Sequence, residues 1–230
     1  MKRPILVTGI LAITLLGAAA GYYTGDHTEP APTAAGEAVP LGGVAPSEPT
    51  VPVKTPVPND LAALETGLSY ERHLFTVRPA GQQPVQISIK TPDRWRLTKD
   101  PDAPAEVKFL DPRNERAVRV EAVEPTETTT DSRKKLVVGL RQSQAPENDL
   151  RILSQTDEQV EDDEGRLRAV STLVYTYIPN KTRRYVIVRW VATGEDDRTT
   201  VEMSITGLPQ DAKGLDEVLH QATRTVRETN

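Results

Sequence analysis

The sequence predicts one α+β domain, an antiparallel β-sheet meander sandwiched by helices, carried behind an apolar N-terminal segment and a proline-rich arm. Three observations predict it. Short apolar alternations separated by turn residues run from about residue 69 onward, two amphipathic stretches interrupt and close them, and the first 68 residues or so are unsuited to a packed core. Of 230 residues, about 160 are left for folding, the size of one ordinary domain.

The N-terminus has the design of an export segment. Lys2 and Arg3 precede an uncharged run that no charge interrupts until Asp26. Its most apolar part, Ile5 to Leu16, has signal-peptide length, and Ala18, Ala19 and Ala20 offer a small-residue cleavage site. Counted through Tyr23 the apolar stretch reaches about 19 residues, within the roughly 17 to 25 that span a bilayer, and Tyr22 and Tyr23 suit the outer interface. Residues 1–25 are therefore read as an uncleaved signal-anchor, with a secreted protein after signal cleavage as the alternative. In either case Lys2 and Arg3 stay cytoplasmic and everything after Asp26 faces outward, a single-pass arrangement with an extracytoplasmic C-terminal domain.

Residues 26–68 are read as a disordered stalk. Prolines at 30, 32, 40, 46, 49, 52, 56 and 58, among alanine, glycine, valine and threonine, prevent helix and ladder alike. In polyproline II geometry such an arm rises about 3.1 Å per residue and holds its cargo tens of ångströms from the membrane.

Within the globular domain, 69–230, strands are expected at 73–78, 85–90, 106–110, 117–123, 151–160, 167–178, 184–193 and 199–206. A helix over 131–144 places Leu136, Val137 and Leu140 on one side, with Asp131 as its cap. A second, over 211–227, spaces Leu215, Val218, Leu219, Ala222 and Val226 three and four apart. The strand containing Tyr185 to Val191 is apolar on both faces apart from Arg189, as a strand covered on both sides would be.

Ile87 and Ile89 lead into Pro92, Asp93, Arg94 and Trp95, and Phe109, Leu110, Asp111 and Pro112 follow before another strand. This order resembles the PsbP-like domains, named after an extrinsic photosystem II protein and abundant in actinobacterial envelope proteins. There a strand, a proline-bearing turn into Gly-Trp and a Phe-x-Asp-Pro element precede a helix, a long meander and a closing helix. The resemblance covers residues 70–228; Arg94 departs from it, standing where glycine is commoner before the tryptophan. It implies an antiparallel sheet sandwiched by helices and a binding or assembly role without chemistry, and it supplies no site residues.

Composition bounds the chemistry further. Twenty-eight Lys and Arg against 33 Asp and Glu give a formal charge of −5 without basic clustering, so no nucleic-acid partner is expected. The chain has no cysteine, and His27, His73 and His220 are scattered, so thiol chemistry is excluded and histidine-based metal or triad sites are not expected. No Gly-x-Ser-x-Gly elbow or glycine-rich phosphate loop occurs. The acidic residues lie mostly in hydrophilic runs that predict exposure, which suits them poorly to acid–base catalysis. No catalytic residue and no cofactor is expected.

Two sets of residues remain as binding candidates. In a meander, alternate turns share one end of the sheet, which brings Glu161, Asp162, Asp163 and Glu164 near Glu195, Asp196 and Asp197; of these, Asp162, Asp163, Glu195, Asp196 and Asp197 are the candidate ligands for a divalent ion, against the plainer reading of solvated hairpins. The opposite end carries the basic connection 179–184, a candidate contact for anionic polymer or headgroups. The function expected from the whole is a non-enzymatic, membrane-tethered binding or assembly module of the cell envelope, meeting a protein or polymer partner. The alternatives are an accessory sensor or regulatory subunit and an unrecognised secreted hydrolase, the last requiring a pocket that gathers Arg189 with a carboxylate and a hydroxyl.

Overall fold

The computed structural model describes residues 52–229. The anchor segment 1–25 and the arm as far as residue 51 lie outside the described residues. Ten strands and two helices follow in chain order: β1 (Tyr70–Val77), β2 (Val85–Pro92), β3 (Arg96–Thr98), β4 (Glu106–Leu110), β5 (Ala117–Ala122), α1 (Thr129–Ser143), β6 (Arg151–Glu161), β7 (Leu167–Tyr177), β8 (Arg184–Val191), β9 (Val201–Gly207), α2 (Ala212–Thr225) and β10 (Arg227–Thr229). The architecture is α+β, with every strand pairing antiparallel.

The strands form two sheets. Seven lie in the order β3-β4-β5-β9-β8-β7-β6, so the meander from β6 to β9 holds, and three lie in the order β1-β2-β10. Residue alternation decides what covers each face. From β8, Ile187 and Val191 enter a core with Phe75, Ile87 and Ile89 of the small sheet and Leu215, Val218 and Leu219 of α2. Val186, Val188 and Trp190 point the other way, into a smaller core with Val137 and Leu140 of α1. The large sheet thus carries α1 on one face and α2 with the small sheet on the other. Each large side chain taken from water by α2 contributes roughly 2 kcal/mol, which makes this helix the main fastener of its layer.

The divergences from expectation have local causes. α1 begins two residues early because Thr128 is its cap: the Thr128 hydroxyl accepts from the Asp131 N–H at 3.1 Å and donates to the Asp131 carboxylate at 3.0 Å. Asp131 is the reciprocal partner in the first turn. A 3-10 turn, Pro146–Asn148, leads into β6, which bulges at Leu153. α2 starts only after a 3-10 turn, Pro209–Asp211, and ends at Thr225 because Val226 is extended and leads β10 into the small sheet. Between the two sheets the chain turns at Pro92, where the Trp95 N–H donates to the Pro92 carbonyl at 3.3 Å. Arg94 adopts a left-handed φ of 65° there, a conformation suited to glycine. The turn drops Trp95 into the core at 6% exposure.

Residues 52–68, assigned to the stalk by their prolines, form no helix or strand, yet they run along the domain. The N–H of Lys54 donates to the Glu147 carbonyl at 2.9 Å, and that of Val57 to the Lys181 carbonyl at 2.8 Å. Farther on, the Ala62 carbonyl accepts from Arg116, the Leu64 N–H donates to Asp211 and the Gly67 N–H to Glu217. Leu64 sits on α2 at Gly214, where a Cβ would meet its carbonyl oxygen at 2.6 Å. Among the described residues no helix is long and apolar enough to cross a membrane.

Candidate functional site

α2 packs over the middle of the large sheet and leaves its β6 margin uncovered. Period 3.6 turns Leu215, Val218, Leu219 and Ala222 inward and leaves Lys213, Asp216, His220 and Arg224 exposed along one outer stripe. Across from that stripe, Glu158 and Val160 of β6 share a face of the sheet with Arg189 of β8. The space between is an open cleft of about 820 Å³, lined by these groups, by Glu161 and Glu217, and by Thr66 of residues 52–68, the strap that runs along the domain.

Arg189 is the charge that the sequence leaves inside an apolar strand, and the structure accounts for it. Its Nε donates to the Thr172 hydroxyl at 2.9 Å, and its terminal nitrogens to the Thr223 hydroxyl at 3.2 Å and the Glu158 carboxylate at 2.9 Å. The residue is only 8% exposed, whereas the Glu158 side chain is 47% exposed. Burial lowers the Arg189 pKa, and Glu158 and Asp216 offset that only in part, so the guanidinium stays below its ordinary value. The gathering of arginine, carboxylate and hydroxyl sought by the hydrolase reading is present, but the hydroxyls accept from the guanidinium. Thr223 spends its own proton on the Leu219 carbonyl at 2.7 Å. Among the described residues neither threonine hydroxyl is hydrogen-bonded to a carboxylate or an imidazole.

The acidic hairpins do not pool their carboxylates. The β6–β7 turn bends towards α2 and β10: the Asp163 N–H donates to the Arg224 carbonyl, and the Asp163 carboxylate meets Arg72 and Arg227. The β8–β9 turn bends to the opposite face, where the Asp197 carbonyl accepts from Thr129 at the start of α1 and Asp196 meets Arg198. Asp162, which its hydrophilic run places in solvent, is instead 1% exposed. Burial pushes its carboxyl up, but the N–H groups of Arg166 and Glu164 and the side chains of Arg166 and Arg168 outweigh this and hold it far below the usual range. Glu195 stays exposed in its turn. Among the described residues no group of three or more His, Asp or Glu side chains is placed to hold a metal ion.

The basic connection is likewise engaged. Arg183 meets Asp149 at 2.6 Å, Arg184 meets Glu115 at 3.0 Å, and the carbonyls of Pro179 and Lys181 accept from the strap. Trp190 is a core residue whose indole N–H donates to Glu202 at 2.9 Å.

A second buried arginine escapes any reading of the sequence. Arg119 sits on the α1 side of β5, where its alternation with Val118 and Val120 suggests an ordinary solvent-facing position. It meets Glu106 at 2.6 Å, Glu121 at 2.8 Å and Glu202 at 2.5 Å. Burial lowers its pKa, but the three carboxylates outweigh this and raise it. Glu121 is pushed up, first by burial and then by Glu202 and Glu106, against the pull of Arg119. The acidic spacing on β4, β5 and β9 becomes a signal only once their register is known. Compared with known protein families and with curated proteins, the chain matches no family model and no curated sequence.

Proposed function

We propose that the chain is a non-enzymatic, membrane-tethered binding or assembly module of the cell envelope, with a PsbP-like domain held outside the cytoplasm. The observation that carries this reading is the order of parts: a basic-then-apolar leader, a proline-rich arm, and a domain whose one described large cleft opens to solvent. Binding rather than catalysis is supported by the state of the polar groups. The hydroxyls at the cleft floor are committed to Arg189, and the buried carboxylates Glu106, Asp111, Asp162 and Asp211 are each paired with arginine. Of the titratable groups in the cleft, Glu158 is bound to Arg189, and His220, among the described residues, has no hydrogen-bonded partner to orient it towards a nucleophile.

The test is fractionation of the tagged full-length protein, with intact mass and a pull-down from the envelope fraction. The expected result is an unprocessed mass in the membrane fraction together with a retained envelope protein or polymer. A mature form beginning near Gly21, free in the medium and without a partner, overturns the tether and favours a secreted protein.

A further inference from the structure

Arg189 is a buried cation held by weak company. Its one charged partner, Glu158, is half in water, and its other two acceptors are neutral hydroxyls. The guanidinium also carries more N–H groups than these three bonds use. A carboxylate that remains hydrated binds a buried guanidinium less firmly than one brought into the same low-dielectric site, so Glu158 is displaceable.

The wall beside Arg189 repeats the pattern. Lys213, His220 and Arg224 are exposed on the outer stripe of α2, and among the described residues their side chains form no hydrogen bond or ion pair. The helix rises about 1.5 Å per residue, so Lys213 and Arg224 stand roughly 16 Å apart with His220 between them. Of the four carboxylates that line the cleft, Glu158 is spent on Arg189 and Glu217 on the Gly67 N–H and the Tyr70 hydroxyl, which leaves Glu161 and Asp216 beside Lys213 and Arg224.

We infer that the cleft between α2 and β6 binds an oxyanion-bearing ligand, whose carboxylate or phosphoryl oxygens replace Glu158 on Arg189 and engage the side chains of Lys213, His220 and Arg224 on α2. The fork of a guanidinium matches both oxyanions, and flanking cations add affinity without fixing which is bound. The inference rests on the binding-module reading and names the ligand class for it. Asp216 and Glu161, which also line the cleft, repel anionic groups away from Arg189, so the site suits a compact oxyanion and not an extended polyanion.

The experiment is calorimetric titration of the full-length protein in non-ionic detergent with citrate and, separately, with pyrophosphate at constant ionic strength. Saturable binding of at least one probe is expected. Citrate alone identifies a carboxylate ligand, and pyrophosphate alone a phosphoryl one. Arg189→Gln weakens binding about tenfold or more, as loss of a charge-assisted contact does. Glu158→Gln tightens binding several-fold by removing the competitor, which a merely structural salt bridge would not do. The double variant His220→Gln with Arg224→Gln, at exposed positions, weakens binding with an unchanged melting temperature, and keeps the test decisive if Arg189→Gln does not fold. Absence of saturable binding, or binding indifferent to these changes, overturns the inference. If the pull-down still retains a partner in that case, the ligand class fails and the binding module stands; if it retains none, both fall.

Discussion

Arg119 and Arg189 are buried on opposite faces of the large sheet, and their charges are compensated in opposite ways. On the α1 side Arg119 is surrounded by three carboxylates, more negative charge than it needs. On the α2 side Arg189 has a single, half-exposed carboxylate and two hydroxyls, less than it needs. An over-compensated cation is cemented in place and serves the fold. An under-compensated one at the floor of an open cleft retains affinity for an anion from outside.

Substitution separates the two. Arg119→Met has the largest expected effect, a loss of about 3–5 kcal/mol in urea unfolding, because three carboxylates are left crowded together without their cation. A change below about 1 kcal/mol would show that the cluster is hydrated and break the comparison. Arg94→Gly supplies a third arginine whose burden is in the backbone: removing a Cβ from a left-handed position gains about 1 kcal/mol, read as a higher melting temperature. Arg189→Met is expected to lie within about 1 kcal/mol of the parent, since an apolar chain of similar volume replaces a poorly compensated ion pair.

The smallest effect is one of sign. Glu121 has a raised pKa in the fold, so the folded state binds its proton more tightly and this group adds stability as pH falls through that value. Asp162 is depressed and does the reverse: its contribution is present above the unfolded carboxylate range and lost as pH falls towards its folded value. Glu121→Gln is therefore expected to equal or exceed the parent in stability at pH 7 and to lose that advantage by about pH 4, followed by denaturant midpoints across the range.

Much of the architecture was legible in the sequence because alternation and helical spacing persist over many residues. The strand expected at 106–110 is β4 to the residue, and the meander order from β6 to β9 follows from short connections. β3 and β10, at three residues each, are too short to display a period. The division into two sheets was hidden because the β1–β2 hairpin alternates in the same way whichever sheet it joins. Arg189 stood out as a charge between Val188 and Trp190, so the cleft floor was legible as a residue though not as a site. Arg119 and Asp162 were not, because a polar residue at an alternate or turn position reads as solvated until its cross-strand neighbours are known.

The strap carries a mechanical consequence. A pull applied at residue 52 does not reach β1 directly; it first loads the backbone bonds of Lys54 and Val57 at the β7–β8 end of the domain. Along the chain those links precede the contact of Leu64 on Gly214, which precedes the β1–β2 ladder. About fifteen residues of slack are released while both sheets stay intact, a length of roughly 50 Å at full extension. Residues 52–68 thus line the domain as a segment separable from it: their detachment lengthens the chain ahead of β1 and leaves the pairing of both sheets unchanged.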